Sequence, residues 1–285
     1  MDYEAFWKPL TQIYEMGEAK AIARLVMEVR FGVSMTDILC GKTGEDTEMK
    51  AIQQRLLTGE PVQYVLGEAE FGGRSFHVEP GVLIPRPETY ELCQWIVEEE
   101  GGRRKEEKCS ILDIGTGSGC IACTLAAELP QAQVTAWDIS DDALRIATDN
   151  ARRLGVNVTF RKADILQFTV HNHQLSIINH QLSIIVSNPP YICHHERAKM
   201  ARNVLEHEPE LALFVPDEDP LLFYRAIARY AAKALKPGGS LYFEINPLYA
   251  DALLALLHAE GFSHTEIRND QFGKQRFTKS LIFNV

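Results

Sequence analysis

The sequence predicts an α/β protein whose Rossmann-like sheet has seven mostly parallel strands and an antiparallel last strand. Short apolar strands alternate with amphipathic helices after residue 88, and this alternation is typical of parallel sheets covered by helices. The last two predicted strands, 264–268 and 277–283, are separated only by a turn at 270–273. Because no helix connects these two strands, we expect them to be antiparallel.

A small helical domain is predicted ahead of this sheet. Residues 1–75 carry apolar side chains at helical spacing, and one such stripe consists of Ile22, Leu25, Val26 and Val29. Residues 76–88 are predicted to form a hairpin connector that ends at two prolines, and residues 89–285 form the main domain. A chain of 285 residues that is 46% hydrophobic can bury one substantial core and that of a small accessory domain.

Start and stop signals bound the elements of the main domain. One helix ends at Pro130, another is capped by Ser140, and a third ends before Pro237 and two glycines. In chain order the predicted elements are a helix at 89–99, a strand at 111–114, a helix to 129, a strand at 133–138, a helix at 141–154, strands at 158–161 and 184–187, a helix at 222–235, a strand at 241–245, a helix at 248–258 and the two final strands.

Charge and cysteine usage exclude several kinds of protein. The net charge of −10 has the wrong sign for a protein that grips a phosphate backbone unaided, so we expect no direct nucleic-acid binding. No apolar segment is long enough to span a bilayer, and the first residues lack a secretion signal. The six cysteines follow no disulfide spacing, which indicates a reduced, cytoplasmic protein. We expect this protein to be a monomer.

A glycine-rich turn follows the first strand of the main domain. Its candidate ligand-binding residues are Asp113, Gly115, Thr116, Gly117, Ser118 and Gly119. Glycines let the backbone turn sharply and approach a ligand closely. Alone the pattern is weak, because many nucleotide-binding folds share it and some loops carry it for packing. A dinucleotide fingerprint needs another glycine two residues further on, and the carboxylate of Asp113 suits a cationic amino-acid group better than a pyrophosphate.

Acidic residues also end the second and third strands. Asp138 is placed to accept hydrogen bonds from both hydroxyls of a ribose. After the third strand, Asp164 could accept from an adenine amino group while Ile165 covers the ring. Each acid alone is more often a helix cap or a solvated charge. Three acids at the carboxyl ends of successive strands form the expected rim of a ligand site in an open α/β sheet.

The fourth strand runs directly into Asn188, Pro189, Pro190 and Tyr191. Paired prolines stiffen the loop and lack N–H groups, so carbonyl oxygens are left to accept hydrogen bonds. The Asn188 side-chain oxygen and the Pro189 carbonyl could each accept from one planar NH2 group, and the Tyr191 ring could pack on its plane. A simple strand-ending turn would also use prolines. The order of acids, glycines and this loop favours a site for S-adenosylmethionine, also touched by Asn188, with a methyl acceptor slot beside it.

Several stretches resemble the release-factor glutamine methyltransferases, the PrmC/HemK family. They are 59–64, 70–72, 82–89, the glycine turn and 188–191, and the similarity covers nearly the whole chain. The glycine turn and the Asn-Pro-Pro-Tyr loop are shared with other methyltransferases, whereas 59–64 and 82–89 are more restricted. The resemblance implies a class I S-adenosylmethionine-dependent methyltransferase fold and a protein-(glutamine-N5) methyltransferase activity.

By the same resemblance, the acceptor is the glutamine of the Gly-Gly-Gln motif in class 1 peptide chain release factors. Residues 1–75 would recognise the release factor, Asn188 and Pro189 would be the catalytic residues, and S-adenosylhomocysteine would be the product. Two readings stay open beside it: methylation of an adenine or guanine amino group in a nucleic acid, and a non-catalytic cofactor-binding partner. The negative charge and the 82–89 stretch weigh against the nucleic acid.

The chain departs from the family at a few places. Tyr90 stands where an acid is usual and Asn246 where a glycine is usual, and we expect neither to touch the cofactor or acceptor positions. The seven residues 172–178 recur unchanged at 179–185, which predicts a surface insertion before the fourth strand. We predict no metal site, neither at His171, His173 and His180 nor at 193–195, because methyl transfer from a sulfonium needs no metal.

Overall fold

The computed structural model describes residues 1–101, 109–167 and 182–282. These residues divide into two compact units. The first unit contains residues 1–69, 78–80 and 200–208, and the second contains the remaining described residues. Within the described ranges, no helix combines the length and the apolar character that crossing a membrane requires. The first copy of the seven-residue repeat and the three histidines at 171, 173 and 180 lie outside the described residues.

The first unit is helical in its N-terminal part. Its helices are α1 (Tyr3–Leu10), α2 (Met16–Phe31), α3 (Met35–Leu39), α4 (Asp46–Leu56) and α5 (Val62–Leu66). Helix α1 is capped by the Asp2 side chain, which accepts from the Ala5 amide, and α3 begins with a capping box between Ser34 and Asp37. Such caps satisfy amide groups that have no partner inside the helix. Helix α2 ends at Phe31 and is capped by Gly32, which has a φ of 63°.

The apolar side chains of these helices form one core, whose fully buried members include Phe6, Leu10, Val26, Met27, Met49 and Leu56. Burying each such side chain contributes roughly 1.5–3 kcal/mol. The stripe predicted on α2 was only half right. Ile22 and Val26 are buried, whereas Leu25 and Val29 are 36% and 39% exposed. A period of 3.6 residues places Leu25 and Val29 at the margin of the buried face, and hydrophobicity alone does not show where that face ends.

The second unit contains a seven-stranded sheet and the helices that cover it. In chain order the remaining elements are β1 (Glu68–Phe71), β2 (Arg74–His77), α6 (Pro87–Gly101), β3 (Ser110–Ile114), α7 (Cys120–Glu128), β4 (Gln133–Asp138), α8 (Asp141–Leu154), β5 (Val158–Lys162), β6 (Leu182–Ser187), β7 (Ile192–Cys193), α9 (Arg202–His207, in the first unit), α10 (Glu210–Leu213), β8 (Phe214–Val215), α11 (Leu222–Ala234), β9 (Leu235–Glu244), α12 (Ala250–Ala259), β10 (Phe262–Asn269) and β11 (Gln275–Ile282). Short 3-10 helices cover Ile165–Gln167, His194–Lys199 and Pro247–Tyr249.

The strand order in the large sheet is β10-β11-β9-β6-β3-β4-β5. Strands β3, β4, β5, β6 and β9 pair in parallel, whereas β11 is antiparallel to both of its neighbours. The predicted fold, a mostly parallel sheet with an antiparallel last strand, is confirmed. Apolar side chains on the two faces of this sheet pack against the helices as two buried clusters. Consequently, the strands in the middle of the sheet are apolar on both faces, as in other parallel sheets.

Strand β9 begins earlier than predicted. The sequence predicted a strand from residue 241, but β9 starts at Leu235, where it pairs with Leu182 of β6. The register is irregular up to the next pair, Ile184 with Ser240, and Gly238 within this stretch has a φ of 74°. Pro237 and the glycines therefore form an irregularity inside strand β9. The sequence did not distinguish the two cases, because a proline followed by glycines is also typical of a helix end.

Candidate active site

The carboxyl ends of β3, β4 and β6 lie together at one edge of the sheet. Asp113 on β3 is in register with Ala136 on β4 and with Val186 on β6. Asp138 ends β4, and Asn188 follows β6 directly. The parallel pairing therefore brings the predicted acids and the Asn-Pro-Pro-Tyr loop to the same edge. This edge is where open α/β sheets bind their ligands.

The glycine-rich turn is fixed to the end of β4. The amides of Gly115 and Thr116 both donate to the Trp137 carbonyl, at 2.9 and 3.0 Å. The Gly117 amide donates to Asp138 Oδ2 at 2.8 Å. Three consecutive amides thus hold the turn against the neighbouring strand. Since Asp138 accepts from this turn, it links two of the predicted ligand-binding segments.

The glycines of this turn serve two different purposes. A Cβ on Gly119 would lie 2.9 Å from the Cβ of Ala147 on α8, so this glycine permits helix packing. A Cβ on Gly117, which has a φ of 55°, would meet no atom within 4 Å. Gly115 has the same open surroundings, with a φ of 75°. The turn therefore leaves space above Gly115 and Gly117, where a bound molecule can approach the backbone.

Asp113 is a fully buried carboxylate with one unused oxygen. The Thr116 hydroxyl donates to Oδ2 at 2.6 Å, whereas Oδ1 has no hydrogen-bond partner among the described residues. Burial raises the pKa of Asp113 to about 7, the charge of Asp138 adds to that rise, and the Thr116 hydroxyl and the Ala122 amide oppose it. A buried acceptor without a partner is costly. A cationic group of a ligand would both satisfy Oδ1 and stabilise the ionised form.

Asp138, Asp164 and Ile165, the other residues predicted to bind S-adenosylmethionine, already have contacts within the chain. Asp138 Oδ1 accepts from the Ser140 amide at 2.9 Å, and burial raises the pKa of this carboxyl. Asp164 Oδ1 accepts from the Leu166 amide at 2.9 Å, as a helix cap does. Ile165 is 8% exposed and packs in a buried cluster. A carboxylate oxygen can accept more than one hydrogen bond, so ligand contacts by the two acids stay predictions.

The loop of residues 188–191, predicted to hold the methyl acceptor and named the acceptor loop, leaves the sheet from a strand end that is held in place by a hydrogen bond. The Ser187 hydroxyl donates to the Ile114 carbonyl at 2.6 Å, which ties the end of β6 to β3. Pro189 is buried, and Asn188 is partly exposed. The Asn188 Nδ2 group donates to the Thr89 hydroxyl oxygen on α6, at 3.3 Å. The side-chain oxygen of Asn188 is consequently not used in the contact with Thr89.

A buried glutamate lies behind this contact. The Thr89 hydroxyl donates to Glu244 Oε2 at 2.6 Å, and the Tyr191 hydroxyl donates to Glu244 Oε1 at 3.1 Å. Burial raises the pKa of Glu244, while the Thr89 hydroxyl, the charge of Arg276 and the Tyr191 hydroxyl lower it. Both carboxylate oxygens of Glu244 therefore accept hydrogen bonds that hold the acceptor loop. The phenol of Tyr191 is fixed by the same contact.

Three of these residues were missed as site residues by the sequence analysis. Thr89 lies in a stretch noted only for its resemblance to the family, Asn246 was noted only as a departure from it, and Glu244 was predicted only as part of the strand at 241–245. Asn246 Nδ2 donates to the Tyr191 carbonyl at 3.1 Å and to Glu196 at 3.0 Å. The expectation that the substitution at position 246 would not touch an acceptor position was therefore wrong. A polar residue inside an otherwise apolar element, such as Glu244 at the end of β9, is the signal that could have revealed it.

One group of possible metal ligands lies next to the loop. Cys193 Sγ, His195 and Asp217 place their ligating atoms within 4.8 Å of one another. The Tyr249 hydroxyl is 3.3 Å from Cys193 Sγ, and burial raises the pKa of this thiol, which disfavours the thiolate that a metal would need. His195 Nδ1 lies 2.9 Å from Asp217 Oδ1. These contacts satisfy the three side chains without a metal, and the absence of a metal site stays a prediction.

The fold and the site define a class of enzymes, the methyltransferases. Residues 105–281 match the family model described as "Methyltransferase domain". The chain is also 46% identical over 272 residues to a release factor glutamine methyltransferase of Bacteroides thetaiotaomicron, covering 94% of each chain. A second relative with the same description, from Flavobacterium psychrophilum, is 39% identical over 96% of this chain and 95% of its own.

Among solved structures, a methyltransferase from Pyrococcus furiosus superposes on 82% of this chain and 100% of its own, with a TM-score of 0.52 and 16% sequence identity. This likeness concerns the fold alone. The two sequence relatives go further, because each is more than 30% identical over nearly the whole chain. The chain belongs to the release factor glutamine methyltransferase family, and the resemblance expected from its motifs is confirmed.

Proposed function

We propose that this protein transfers a methyl group from S-adenosylmethionine to a glutamine side-chain amide. The glutamine is that of the Gly-Gly-Gln motif in class 1 peptide chain release factors, and S-adenosylhomocysteine is the second product. Two of the sequence relatives carry the name of this activity. The structural observation that carries the proposal is the orientation of Asn188, whose Nδ2 is engaged by Thr89 while Oδ1 remains to accept from an amide NH2 group.

The residues of the glycine-rich turn fit the donor. Oδ1 of buried Asp113, which has no hydrogen-bond partner among the residues that the structure describes, suits the ammonium of its amino-acid part. The open space at Gly115 and Gly117 admits a ligand against the backbone. We propose that Thr116, Ser118 and Gly119 of the same turn also bind S-adenosylmethionine. Asp138 would accept from the ribose hydroxyls, and Asp164 and Ile165 would contact the adenine. S-adenosylmethionine would supply an electrophilic methyl carbon bonded to a positively charged sulfur, which leaves as a neutral thioether.

The acceptor residues act by positioning. Asn188 Oδ1 and the Pro189 carbonyl would each accept one N–H of the glutamine amide, which fixes the plane of this group. Accepting both hydrogens also returns electron density to a nitrogen whose lone pair is delocalised into its carbonyl. Positioning of this kind can supply ~7 kcal/mol or more of the barrier reduction. Pro190 keeps the loop rigid, and the Tyr191 ring would cover the amide plane.

The proton balance needs no strong base in the protein. The amide nitrogen gains one carbon and loses one of its two hydrogens. Asn188 is neutral and weakly basic, so we assign it no role as a general base. Asn188 accepts a hydrogen bond from one N–H of the glutamine amide until the new N–C bond has formed. The methylated nitrogen is then acidic enough to release that proton to water.

The domains divide recognition from chemistry in this proposal. Residues 1–75 would contact the body of the release factor, residues 76–88 would connect, and residues 89–285 would bind the donor and the glutamine. The negative net charge of the chain fits a protein substrate better than a phosphate backbone. We also propose that the protein is a monomer and that it is located in the cytoplasm.

A parallel labelling assay tests the substrate. The purified protein is incubated with a methyl-labelled donor and, in separate reactions, with a class 1 release factor, the same factor with its motif glutamine changed to alanine, tRNA, ribosomes and DNA. We expect label only in the intact release factor. Label in a nucleic acid and none in the release factor would replace the proposal with the nucleic-acid alternative.

A further inference from the structure

We infer that Thr89 is a positioning residue, which together with Glu244 sets the direction in which the Asn188 side-chain amide faces. The inference rests on the proposed function, because the direction matters only if Asn188 must accept from a substrate NH2 group. Three described side chains carry it, in the chain of contacts Asn188 Nδ2 to Thr89 Oγ1 to Glu244 Oε2. Both contacts lie within the second unit.

The Thr89 hydroxyl carries a single proton. A threonine hydroxyl can donate one hydrogen bond and accept others. Glu244 Oε2 lies 2.6 Å from Thr89 Oγ1, a short contact that is typical of a hydroxyl donating to a carboxylate. An ionised carboxylate can only accept, so the proton of Thr89 must point towards Glu244. Thr89 Oγ1 then offers only lone pairs to its other neighbour.

That other neighbour is Asn188. An asparagine amide has an NH2 side and an oxygen side of nearly equal shape, so packing alone does not choose between its two orientations. A hydroxyl oxygen that can only accept makes the choice, because the opposite orientation would place two acceptors against each other. Asn188 must present Nδ2 to Thr89, at 3.3 Å. Its Oδ1 is thereby turned away from Thr89 and kept as an acceptor.

The glutamate is held in a form that supports this direction. Glu244 is 3% exposed and Thr89 is 2% exposed, so water does not compete for the contact between them. Tyr191 donates to the second oxygen of Glu244. Burial raises the pKa of this carboxyl, while the Thr89 hydroxyl, the charge of Arg276 and the Tyr191 hydroxyl act in the opposite direction by stabilising its ionised form. The strand β9 and the helix α6 that carry the two residues both belong to the sheet unit. The direction of the amide is thus set from 99 residues away in the sequence, at Thr89.

A matched set of variants tests the inference in the full-length protein. Thr89→Val keeps the shape of the side chain and removes the hydroxyl, whereas Thr89→Ser keeps the hydroxyl and removes a methyl group. Thr124→Val is the control, because Thr124 is fully buried on α7 and its hydroxyl has no hydrogen-bond partner in the described part of the chain. The measurements are kcat and KM for an intact release factor, the melting temperature, and the affinity for S-adenosylhomocysteine by calorimetry.

We expect Thr89→Val to lower kcat at least about fivefold, the factor that one neutral hydrogen bond contributes. Its affinity for S-adenosylhomocysteine should stay within twofold of that of the wild type, since in the described part of the chain the Thr89 hydroxyl bonds to Glu244 and Asn188 and not to the glycine-rich turn. Thr89→Ser should recover most of the lost kcat, and Thr124→Val should match the wild type in kcat. A purely structural role for Thr89 would instead lower the melting temperature and leave kcat of the folded protein unchanged.

The outcomes separate this inference from the proposed function. If the wild type methylates the release factor and folded Thr89→Val keeps the kcat of Thr124→Val, the inference is wrong and the proposed function stands. If the wild type does not methylate it, the proposed function itself fails. Should Thr89→Val not fold, a neutron structure of the wild type decides, because deuterium atoms distinguish Nδ2 from Oδ1. Oδ1 of Asn188 facing Thr89 would overturn the inference.

Discussion

Tyr191 and Glu244 are 53 residues apart in the sequence and joined by a hydrogen bond of 3.1 Å from the tyrosine hydroxyl to Oε1. This contact links the acceptor loop after β6 to the end of β9. Burial, reinforced by the negative charge of Glu244, raises the pKa of Tyr191, so the phenol keeps its proton and remains a donor. The loop is therefore fastened at its last residue as well as at Ser187, where the hydroxyl binds the Ile114 carbonyl.

Tyr191→Phe tests this fastening. The substitution keeps the ring and leaves a buried carboxylate oxygen without its donor, which should reduce the free energy of unfolding by about 1–3 kcal/mol. Chemical denaturation of the two proteins measures the difference. Tyr3→Phe is a suitable control, because the Tyr3 hydroxyl binds a carbonyl in an exposed contact. Equal stability of Tyr191→Phe and the wild type would show that the contact with Glu244 does not hold the loop.

Asn188→Ala addresses the acceptor. Removing the side-chain oxygen leaves the glutamine amide free to rotate, and loss of such positioning should lower kcat about 100-fold or more. Affinity for S-adenosylhomocysteine should change little, because the glycine-rich turn is intact. Steady-state kinetics and calorimetry give the two quantities. Strong loss of donor affinity with a normal kcat at saturation would reverse the role that we propose for Asn188.

Asp113→Asn should separate stability from donor binding. The folded protein has an Asp113 pKa of about 7, above the ordinary 3.8, so between these values the folded chain holds a proton that the unfolded chain has lost. The free energy of unfolding supplied by this group therefore falls as the pH rises from about 4 to about 7. In the absence of donor, the variant should be more stable than the wild type at pH 8 and similar to it near pH 4.

Asp113→Asn should also weaken binding at the site of the methyl donor. An ionised Asp113 attracts a cationic ammonium, so wild-type affinity for S-adenosylhomocysteine should rise between pH 6 and pH 8, by at most about tenfold per pH unit. Asp113→Asn should bind more weakly at pH 8 and show a flatter dependence on pH. Calorimetry at three pH values and thermal melting at the same values provide the measurements. A variant that binds as tightly as the wild type at pH 8 would remove Asp113 from the donor site.

Gly119→Ala tests the packing of the glycine-rich turn. The new Cβ would lie 2.9 Å from the Cβ of Ala147, at a backbone φ of 80°. Overpacking of this kind costs typically about 1–3 kcal/mol in the free energy of unfolding, in addition to roughly 1–2 kcal/mol of backbone strain. Gly155→Ala is the matched control, because its φ is 67° and a Cβ there meets no atom within 4 Å. Denaturation curves that give the two variants equal stability would contradict the clash with Ala147.

Local patterns predicted the sheet well because its strands are short, apolar and punctuated. The glycine-rich turn, Asp138 and the Asn-Pro-Pro-Tyr loop follow strand ends directly, so their common edge could be inferred from the parallel arrangement. The start of β9 was predicted late, because Pro237 and its neighbouring glycines match a helix stop as well as a strand irregularity. The extent of a strand there depends on its pairing with β6, which no local pattern records.

The contacts between residues far apart in the chain could not be predicted from the sequence. Thr89 and Glu244 are 155 residues apart, and neither has a neighbour in the chain that indicates the other. Asn246 lay in view as a departure from the family, yet its contact with the Tyr191 carbonyl depends on how β9 ends. A single sequence gives the residue types and their spacing along the chain. It does not give the pairing of buried polar groups, which decides how Asn188 is held.

The position of β11 has a consequence for when the protein becomes active during synthesis. This strand follows β9 and β10 in the chain but lies between them, and it places Arg276 beside the end of β9, where the Ile245 amide donates to the Arg276 carbonyl. A nascent chain that ends before residue 276 lacks both the cation near Glu244 and the strand that joins β9 to β10. We therefore expect methylation competence only after residues 275–282 have left the ribosome, and we expect a product truncated before residue 275 to be inactive even though every donor and acceptor residue is present.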